Sequence, residues 1–157
     1  MRKKLNGAGI ILQTKDNNIL LVNNKKVKLV KKGKEEIRER INKPNKWGFP
    51  KGHLEEGEDI FNCMKRELYE ETGILYNELE VKYYKECKIK DYKYYYVIID
   101  EKIKLPYESS NEIYSMRWYN INELNSLKNR NYGLDKAIKY ILRAFNGDWK
   151  VNSDIFV

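Results

Sequence analysis

The stretch GHLEEGEDIFNCMKRELYEETGI, residues 52–74, places three acidic side chains within five positions. Polar residues near its start and a glycine near its end predict a helix that finishes at about Thr72. Successive helical residues turn by about 100°, so Glu67, Glu70 and Glu71 fall on one face. Like charges at these spacings destabilise a helix by roughly 0.2–0.5 kcal/mol per pair. A cation is therefore expected to offset them.

Hard divalent cations suit such an acidic face. Mg²⁺ takes oxygen ligands, uses one or two protein carboxylates, and completes its coordination shell with water and phosphate oxygens. The three glutamates alone would be interpreted as a solvated acidic face. The residues that surround them favour a magnesium and phosphate site instead.

The rest of the chain combines strand-like runs with a second helix. Residues 7–22 predict a strand, a turn and a strand, and residues 79–86, 92–99 and 112–119 predict three more strands. Residues 133–146 predict an amphipathic helix with a basic outer face. This pattern is typical of an α+β fold, a mixed sheet with helices packed on it. At 157 residues we expect a single domain over residues 1–157.

Most of the net charge of +8 comes from one segment, residues 25–46. It holds ten Lys and Arg residues against three Glu, which leaves about +1 for the rest of the chain. The segment is either a solvated insertion or a surface for a polyanion. Within it, residues 35–41 predict a short exposed helix that Pro44 ends.

The two cysteines, Cys63 and Cys87, lack metal-type spacing. They predict free thiols in a reducing compartment, hence a cytoplasmic location. The apolar residues form short clusters, and none approaches the roughly 18 residues that cross a bilayer, so we expect no membrane partner. The basic and then apolar N-terminus predicts an early strand rather than a signal peptide.

Residues 52–74 as a whole resemble the Nudix box. The pattern is G-x5-E-x7-R-E-u-x-E-E-x-G-u, where u is a bulky apolar residue, and every fixed position from Gly52 to Ile74 matches it. The resemblance implies the Nudix fold, an α/β/α sandwich with a mixed β-sheet. It also implies a hydrolase that cleaves a diphosphate linkage in a nucleoside diphosphate joined to another group.

The resemblance implies the metal ligands as well. Glu67, Glu70 and Glu71 would bind Mg²⁺ or Mn²⁺, with two or three ions in the site. The backbone carbonyl of Gly52 or of Lys51 would add a ligand. Bound metals would neutralise the diphosphate and lower the pKa of a water molecule.

Three more residues have roles by resemblance or by chemistry. Glu58 and Arg66 would form an ion pair that holds the loop and the helix together. A carboxylate close to the metals would take the proton from the attacking water. Asn111-Glu112-Ile113, followed by Trp118, resembles the segment in which messenger-RNA decapping enzymes carry a general-base glutamate, which would make Glu112 the base.

Two further features favour capped RNA as the substrate. The lead-in KWGFPKG, residues 46–52, and the wording of the box resemble the Nudix domain of decapping enzymes. Those enzymes also place a basic helix after the catalytic fold to hold RNA, and the predicted last helix fits that description. The expected products are 7-methylguanosine diphosphate and RNA with a 5′-monophosphate.

Capped RNA would need cations for its phosphates and aromatic rings for its base. The candidate phosphate contacts are Lys31, Lys32 and Lys51. The candidate stacking residues are Trp47, Phe49, Tyr94 and Tyr114, out of a wider set with Tyr92, Tyr95, Tyr96 and Trp118.

Two alternatives stay open. Residues 51–59 resemble dinucleoside tetraphosphate hydrolases and diphosphoinositol polyphosphate hydrolases, whose anionic substrates would also suit the basic segment. Cellular decapping enzymes carry an N-terminal helical regulatory domain, whereas here the first strand begins within about eight residues of Met1. The second alternative is a Nudix-fold binding module without catalysis. Such modules usually lose box glutamates, and all of them are present here.

Overall fold

The computed structural model describes residues 4–105 and 112–145. Two short 3₁₀ turns, Tyr76–Glu78 and Ile121–Ser126, accompany the main elements. These elements are β1 (Gly7–Thr14), β2 (Asn18–Lys32), β3 (Glu35–Gly48), β4 (Lys51–His53), α1 (Ile60–Thr72), β5 (Tyr83–Ile89), β6 (Tyr92–Ile99), β7 (Ile113–Asn120) and α2 (Tyr132–Phe145). None of the described helices is long and apolar enough to cross a membrane.

One mixed, seven-stranded sheet forms the centre of the fold. Its main order is β3-β2-β1-β6-β5, while β4 pairs with β1 and β7 pairs with β2. β1 and β6 run parallel along their whole length, and the other strand pairs are antiparallel. The parallel pair puts the two most buried strands side by side.

The central strand β1 supplies both sides of the sheet with core residues. Ala8, Ile10 and Leu12 pack on the side that α1 covers, and Ile11 packs on the side that α2 covers. This alternation follows from the two-residue period of a strand. The result is an α/β/α sandwich around a mixed sheet, so the expected α+β architecture is confirmed.

The first helix has the ends that the sequence predicts. Asp59, one of the polar residues before the helix, accepts a hydrogen bond from the backbone N–H of Asn62 at 2.8 Å. Gly73 ends the helix with φ 77°, a left-handed conformation that glycine adopts without strain. Its N–H donates to the carbonyl of Tyr69 at 2.8 Å. The helix therefore presents a fixed set of side chains to β1 and β4.

The second helix also matches its prediction. It spans Tyr132–Phe145, and its buried residues are Leu134, Ala137, Ile138 and Ile141. Lys136 and Lys139 are exposed on the outer side. The predicted final residue, 146, lies outside the described part of the chain, as do residues 1–3, 106–111 and 147–157.

The predicted helix at residues 35–41 is wrong, because this segment is part of strand β3. β2 continues to Lys32, Gly33 turns the chain with φ 68°, and β3 pairs back on β2 from Glu35. Val and Ile residues along both strands favour this pairing. The long-range partner strand thus overrides a short charged stretch that reads as a helix.

Pro44 has a different role from the predicted helix stop. It lies opposite Lys25, between two register shifts in the pairing of β2 and β3. Proline has no N–H to donate, so it is tolerated at such an irregularity. Beside it, the side-chain oxygen of Asn23 accepts the N–H of Asn45 at 2.8 Å. This bond ties the irregular base of the hairpin together.

The basic segment is an extended hairpin, which we call the arm (residues 25–46). Pairing of β2 with β7 ends at Asn24, and within the described chain residues 25–32 pair only with β3. At about 3.3 Å per residue, these eight residues extend about 26 Å past the sheet. The arm therefore offers two solvent-facing sides.

Candidate active site

The box glutamates lie between helix α1 and strand β4. Glu67 and Glu71 are almost fully buried, 8% and 5% exposed, whereas the side chain of Glu70 is half exposed. The N–H of Lys51 donates to Glu71 Oε1 at 3.0 Å. A Cβ at Gly52 would come within 2.1 Å of the Glu67 carboxyl carbon, so only glycine fits there.

Arg66 joins the box together through its guanidinium. It forms a two-pronged ion pair with Glu58, at 2.7 and 2.9 Å, as the resemblance implies. It also donates to Glu67 at 2.8 Å and to Glu70 at 3.1 Å. A last bond, 2.9 Å long, runs to the backbone carbonyl of His53. One arginine thus holds the loop, the strand and the helix.

Burial shifts the acid–base behaviour of these carboxyl groups. Burial raises the pKa of Glu71 to about 8, and it also raises the pKa of Glu67. By contrast, the hydrogen bonds from Arg66 lower the pKa of Glu58. At neutral pH the metal-free protein therefore keeps Glu71 largely protonated, and a bound cation would favour its ionised form.

The predicted set of three glutamate ligands is not assembled here. No three His, Cys, Asp or Glu side chains in residues 4–105 and 112–145 converge as metal ligands would. Arg66 holds Glu67 and Glu70 in ion pairs instead. The donor atoms still fit a hard cation, because two buried carboxylates and backbone oxygens adjoin at this place.

Of the two backbone carbonyls considered as a ligand, Lys51 fits and Gly52 does not. Every second residue around β4 forms backbone hydrogen bonds with β1 or the residue before it. On either side of β4, the Pro50 carbonyl accepts the N–H of Ile10, and the N–H of Leu54 donates to the carbonyl of Asn6. Gly52 shares this side, with its oxygen close to β1. The N–H and carbonyl of one strand residue point the same way. The Lys51 carbonyl therefore faces Glu71.

Glu112, the predicted base, lies at the junction of the arm and strand β7. Its carboxylate is 3.3 Å from the guanidinium of Arg40, and its backbone oxygen accepts the N–H of Lys25 at 2.8 Å. Its charge contributes to the raised pKa of both Glu67 and Glu71. The Glu112 carboxylate therefore interacts electrostatically with the box carboxylates. Asn111, its neighbour in the motif, lies outside the described residues.

Two predicted stacking residues have rings too buried to stack on a base, although one of them, Tyr94, also lines a cavity beside Lys51. Phe49 and Tyr94 are each 2% exposed and pack edge to face, with ring centroids 5.7 Å apart, in the α2-side core. Trp47 is half-buried against Tyr119, at a centroid distance of 5.1 Å. Tyr114 is exposed on β7. Phe49 and Tyr94 are core residues, because their rings are already covered.

The predicted lysine contacts also separate. Lys51 adjoins the box, whereas Lys31 and Lys32 lie at the tip of the arm on successive positions and so on opposite faces. Lys32 forms an ion pair with Glu39 at 3.5 Å. Lys31 and Lys32 therefore do not share one phosphate site with Lys51.

A cavity of about 260 Å³ lies beside Lys51, and no pattern in the sequence predicts it. Its lining includes Tyr92 and Tyr132, and lysine ammonium groups lie over both rings: Lys51 at 4.7 Å and Lys90 at 4.6 Å. Its lining comes mainly from the β5–β6 turn and from the start of α2, two segments that are distant in the sequence and meet only in the fold. A larger cavity, about 430 Å³, lies by the C-terminal end of α1 and contains none of the predicted site residues.

The family model described as NUDIX domain matches residues 3–141. The chain belongs to the Nudix family. It is a hydrolase that acts on phosphoric anhydride bonds, as the box implies, and a binding module without catalysis is not supported. Nudix hydrolases generally need divalent metals, in agreement with the buried carboxylates.

Named relatives agree with this assignment. Nudix hydrolase 25 of Arabidopsis thaliana is 42% identical over 43 residues, 27% of this chain and 25% of that protein, so the match spans a quarter of that relative. The fold is similar to a C. elegans Ap4A hydrolase (TM-score 0.58, 19% identity, 92% of this chain and 98% of that one).

The fold is also similar to part of a Francisella tularensis enzyme, a bifunctional NMN adenylyltransferase/ADP ribose pyrophosphatase complexed with AMP and manganese. That match has a TM-score of 0.63 and 18% identity, and it covers 92% of this chain and 42% of that one. At such identities the two structural matches show a shared fold.

Glu71→Gln should abolish turnover yet stabilise the metal-free protein at high pH. The folded-state pKa of about 8 exceeds the ordinary 4.5, so wild-type stability falls as pH rises from about 4.5 to 8. Glutamine keeps an oxygen for the Lys51 N–H and carries no charge. With EDTA present at pH 8.5, relief of a few kcal/mol should raise the melting temperature by roughly 5–15 °C, at about 2–4 °C per kcal/mol for a domain of this size, with little difference at pH 5.

The matched control is Glu70→Gln, which removes a half-exposed carboxylate from the same helix. It should shift the melting temperature much less at either pH. Parallel pH profiles for wild type and Glu71→Gln would contradict the burial argument.

Proposed function

We propose that this Nudix hydrolase removes the cap from RNA in the cytoplasm. The observation that carries the proposal is the attachment of the arm to Glu112 through Arg40 and Lys25. A basic hairpin about 26 Å long therefore starts beside the carboxylates of the box. A small nucleotide would need no such extension, whereas a polymer with a phosphate on every nucleotide would.

The cavity beside Lys51 supports a site for the base of the cap. Its volume, about 260 Å³, lies below the range of roughly 300–1,000 Å³ usual for drug-sized ligands, which suits a single base. Tyr92 and Tyr132 supply ring faces, and Tyr132 is 53% exposed. Methylated guanine is cationic and would gain from such faces once the Lys51 and Lys90 ammonium groups that lie over them move to the phosphates of the cap. These tyrosines take over the role first given to Phe49 and Tyr94.

The residues divide the chemistry among them. Glu67, Glu71 and the Lys51 carbonyl would hold Mg²⁺ or Mn²⁺, in two or three sites with oxygens of the diphosphate. A bound metal would neutralise the diphosphate and lower the pKa of the attacking water. Glu112 takes a proton from the attacking water as the oxygen of the water adds to phosphorus. The bridging P–O bond breaks, which releases 7-methylguanosine diphosphate and leaves a 5′-monophosphate on the RNA.

A dinucleoside polyphosphate or a diphosphoinositol polyphosphate is the second candidate substrate. The shared fold with an Ap4A hydrolase, over 92% of this chain, supports the first of these. Lys51 and Lys90 at the cavity would serve a compact polyphosphate equally well. In that case the arm would act as a clamp for the phosphates.

Glu112→Gln should lower kcat by about 100-fold or more, because a general base contributes 10²–10⁴-fold. Its KM and the affinity for Mn²⁺ should change little, since Glu112 does not belong to the metal-binding set. The measurement is single-turnover cleavage together with Mn²⁺ titration. If kcat stays within about threefold of wild type, the base is another carboxylate, such as Glu67.

A turnover assay with four substrates tests the choice between the candidates. Cap-labelled RNA, the free cap dinucleotide, diadenosine tetraphosphate and a diphosphoinositol phosphate are each offered with Mg²⁺ and with Mn²⁺. We expect kcat/KM for capped RNA to exceed that for the free cap dinucleotide at least tenfold, because the arm binds only the polymer. Faster cleavage of the small molecules would favour the second candidate.

A further inference from the structure

The pairing register of the arm assigns its side chains to two faces. Opposed residues of an antiparallel pair share a face, and every second residue along a strand returns to it. Val27 lies opposite Arg40, and Leu29 lies opposite Arg38. The front face therefore consists of Val27, Leu29, Lys31, Glu36, Arg38 and Arg40. The rear face consists of Lys28, Val30, Lys32, Glu35, Ile37 and Glu39.

The two faces differ in charge although their compositions are similar. The front face has three cationic side chains and one carboxylate, whereas the rear face has two lysines and two glutamates. On the rear face, Lys28 lies opposite Glu39, which also pairs with Lys32 at 3.5 Å. The positive charge of these twelve positions is thus concentrated on the front.

The front face is continuous with the active site. Arg40 is its residue closest to the body of the protein, and the guanidinium of Arg40 reaches Glu112. Glu112 in turn acts electrostatically on Glu67 and Glu71. A chain that leaves the site along this face would pass Arg40, then Arg38, then Lys31.

Exposed aliphatic side chains alternate with the cations on this face. Val27 is 44% exposed and Leu29 is 62% exposed. Single-stranded RNA offers phosphates to the cations and base or sugar surfaces to the apolar and guanidinium planes. A purely ionic partner would leave the aliphatic side chains in water. The mixture suits a flexible single strand.

We propose that the front face of the arm binds single-stranded RNA immediately 3′ of the cleaved linkage. This inference rests on the proposed function, since it concerns the body of the same substrate. It assigns phosphate contacts to Arg38 and Lys31, places the RNA chain over Leu29, and leaves the rear face to solvent.

The charge of the front face argues against a second copy of the protein as its occupant. Two front faces brought together would oppose like charges, which destabilises cross-strand contacts. RNA has the complementary charge.

The test compares two double variants that each remove two positive charges from the arm. Lys31→Gln with Arg38→Gln alters the front, and Lys28→Gln with Lys32→Gln alters the rear. The probe is a 5′-monophosphorylated single-stranded RNA, and its Kd is measured by fluorescence anisotropy from 50 to 200 mM salt. All four side chains are exposed, and a melting curve verifies that each variant is folded.

The front variant should lose about tenfold in affinity at low salt, and its slope of log K against log salt should become shallower by about 1.4. The rear variant should remain within about twofold of wild type. Equal losses in both, or none in the front variant, would overturn the inference. Leu29→Ser should weaken binding without altering the slope, because it removes an apolar contact.

Two more outcomes separate the inference from the proposed function. If wild type fails to cleave capped RNA while only the front variant loses RNA affinity, RNA binding by the front face stands, and its placement 3′ of a cleaved linkage falls together with decapping. If capped RNA is cleaved and both double variants bind alike, the inference alone falls. A wild-type dimer in sedimentation that Leu29→Ser dissociates, with RNA affinity unchanged, would make the face a contact between copies and overturn the inference.

Discussion

The burial of Glu67 and Glu71 between α1 and β4 is the constraint on which the rest of the site depends. A pKa of about 8 for Glu71 means that its ionised form costs the folded protein a few kcal/mol. Arg66 donates to Glu67 and, among the described residues, makes no bond to Glu71, which accepts a hydrogen bond from the Lys51 backbone N–H. The fold therefore keeps a protonated carboxyl group at the place where a divalent cation would favour its ionised form.

The arm and the catalytic side are parts of one structure rather than separate features. The irregular pairing near Lys25 and Pro44 sets the direction of the hairpin, and the same region holds Glu112 by its backbone and its carboxylate. A ligand that moves the arm would therefore move Glu112 as well. This linkage gives a physical reason why a long substrate and the chemical step would depend on each other.

The sequence predicts the parts of the site that depend on local pattern. The spacing from Gly52 to Ile74 identifies the box, and the helix around Glu67 and Glu71 follows from caps and periodicity. The sequence does not predict the features that form where distant segments of the chain meet. Residues 35–41 of the arm predict a helix because the partner strand β2 is not visible in the local pattern. Phe49 and Tyr94 are predicted to stack because their burial depends on α2. The choice of the Lys51 carbonyl over that of Gly52 depends on which residues of β4 point toward β1, and only the pairing of the two strands shows this.

Calorimetric titration of Mn²⁺ into the metal-free protein measures whether binding of the cation ionises the buried Glu71. At pH 7, in buffers of different ionisation enthalpy, binding should release about one proton as Glu71 ionises. The release should fall toward zero above pH 9 and disappear in Glu71→Gln. Mn²⁺ binding at pH 7 without proton release, or with the same release in Glu71→Gln, would contradict the account.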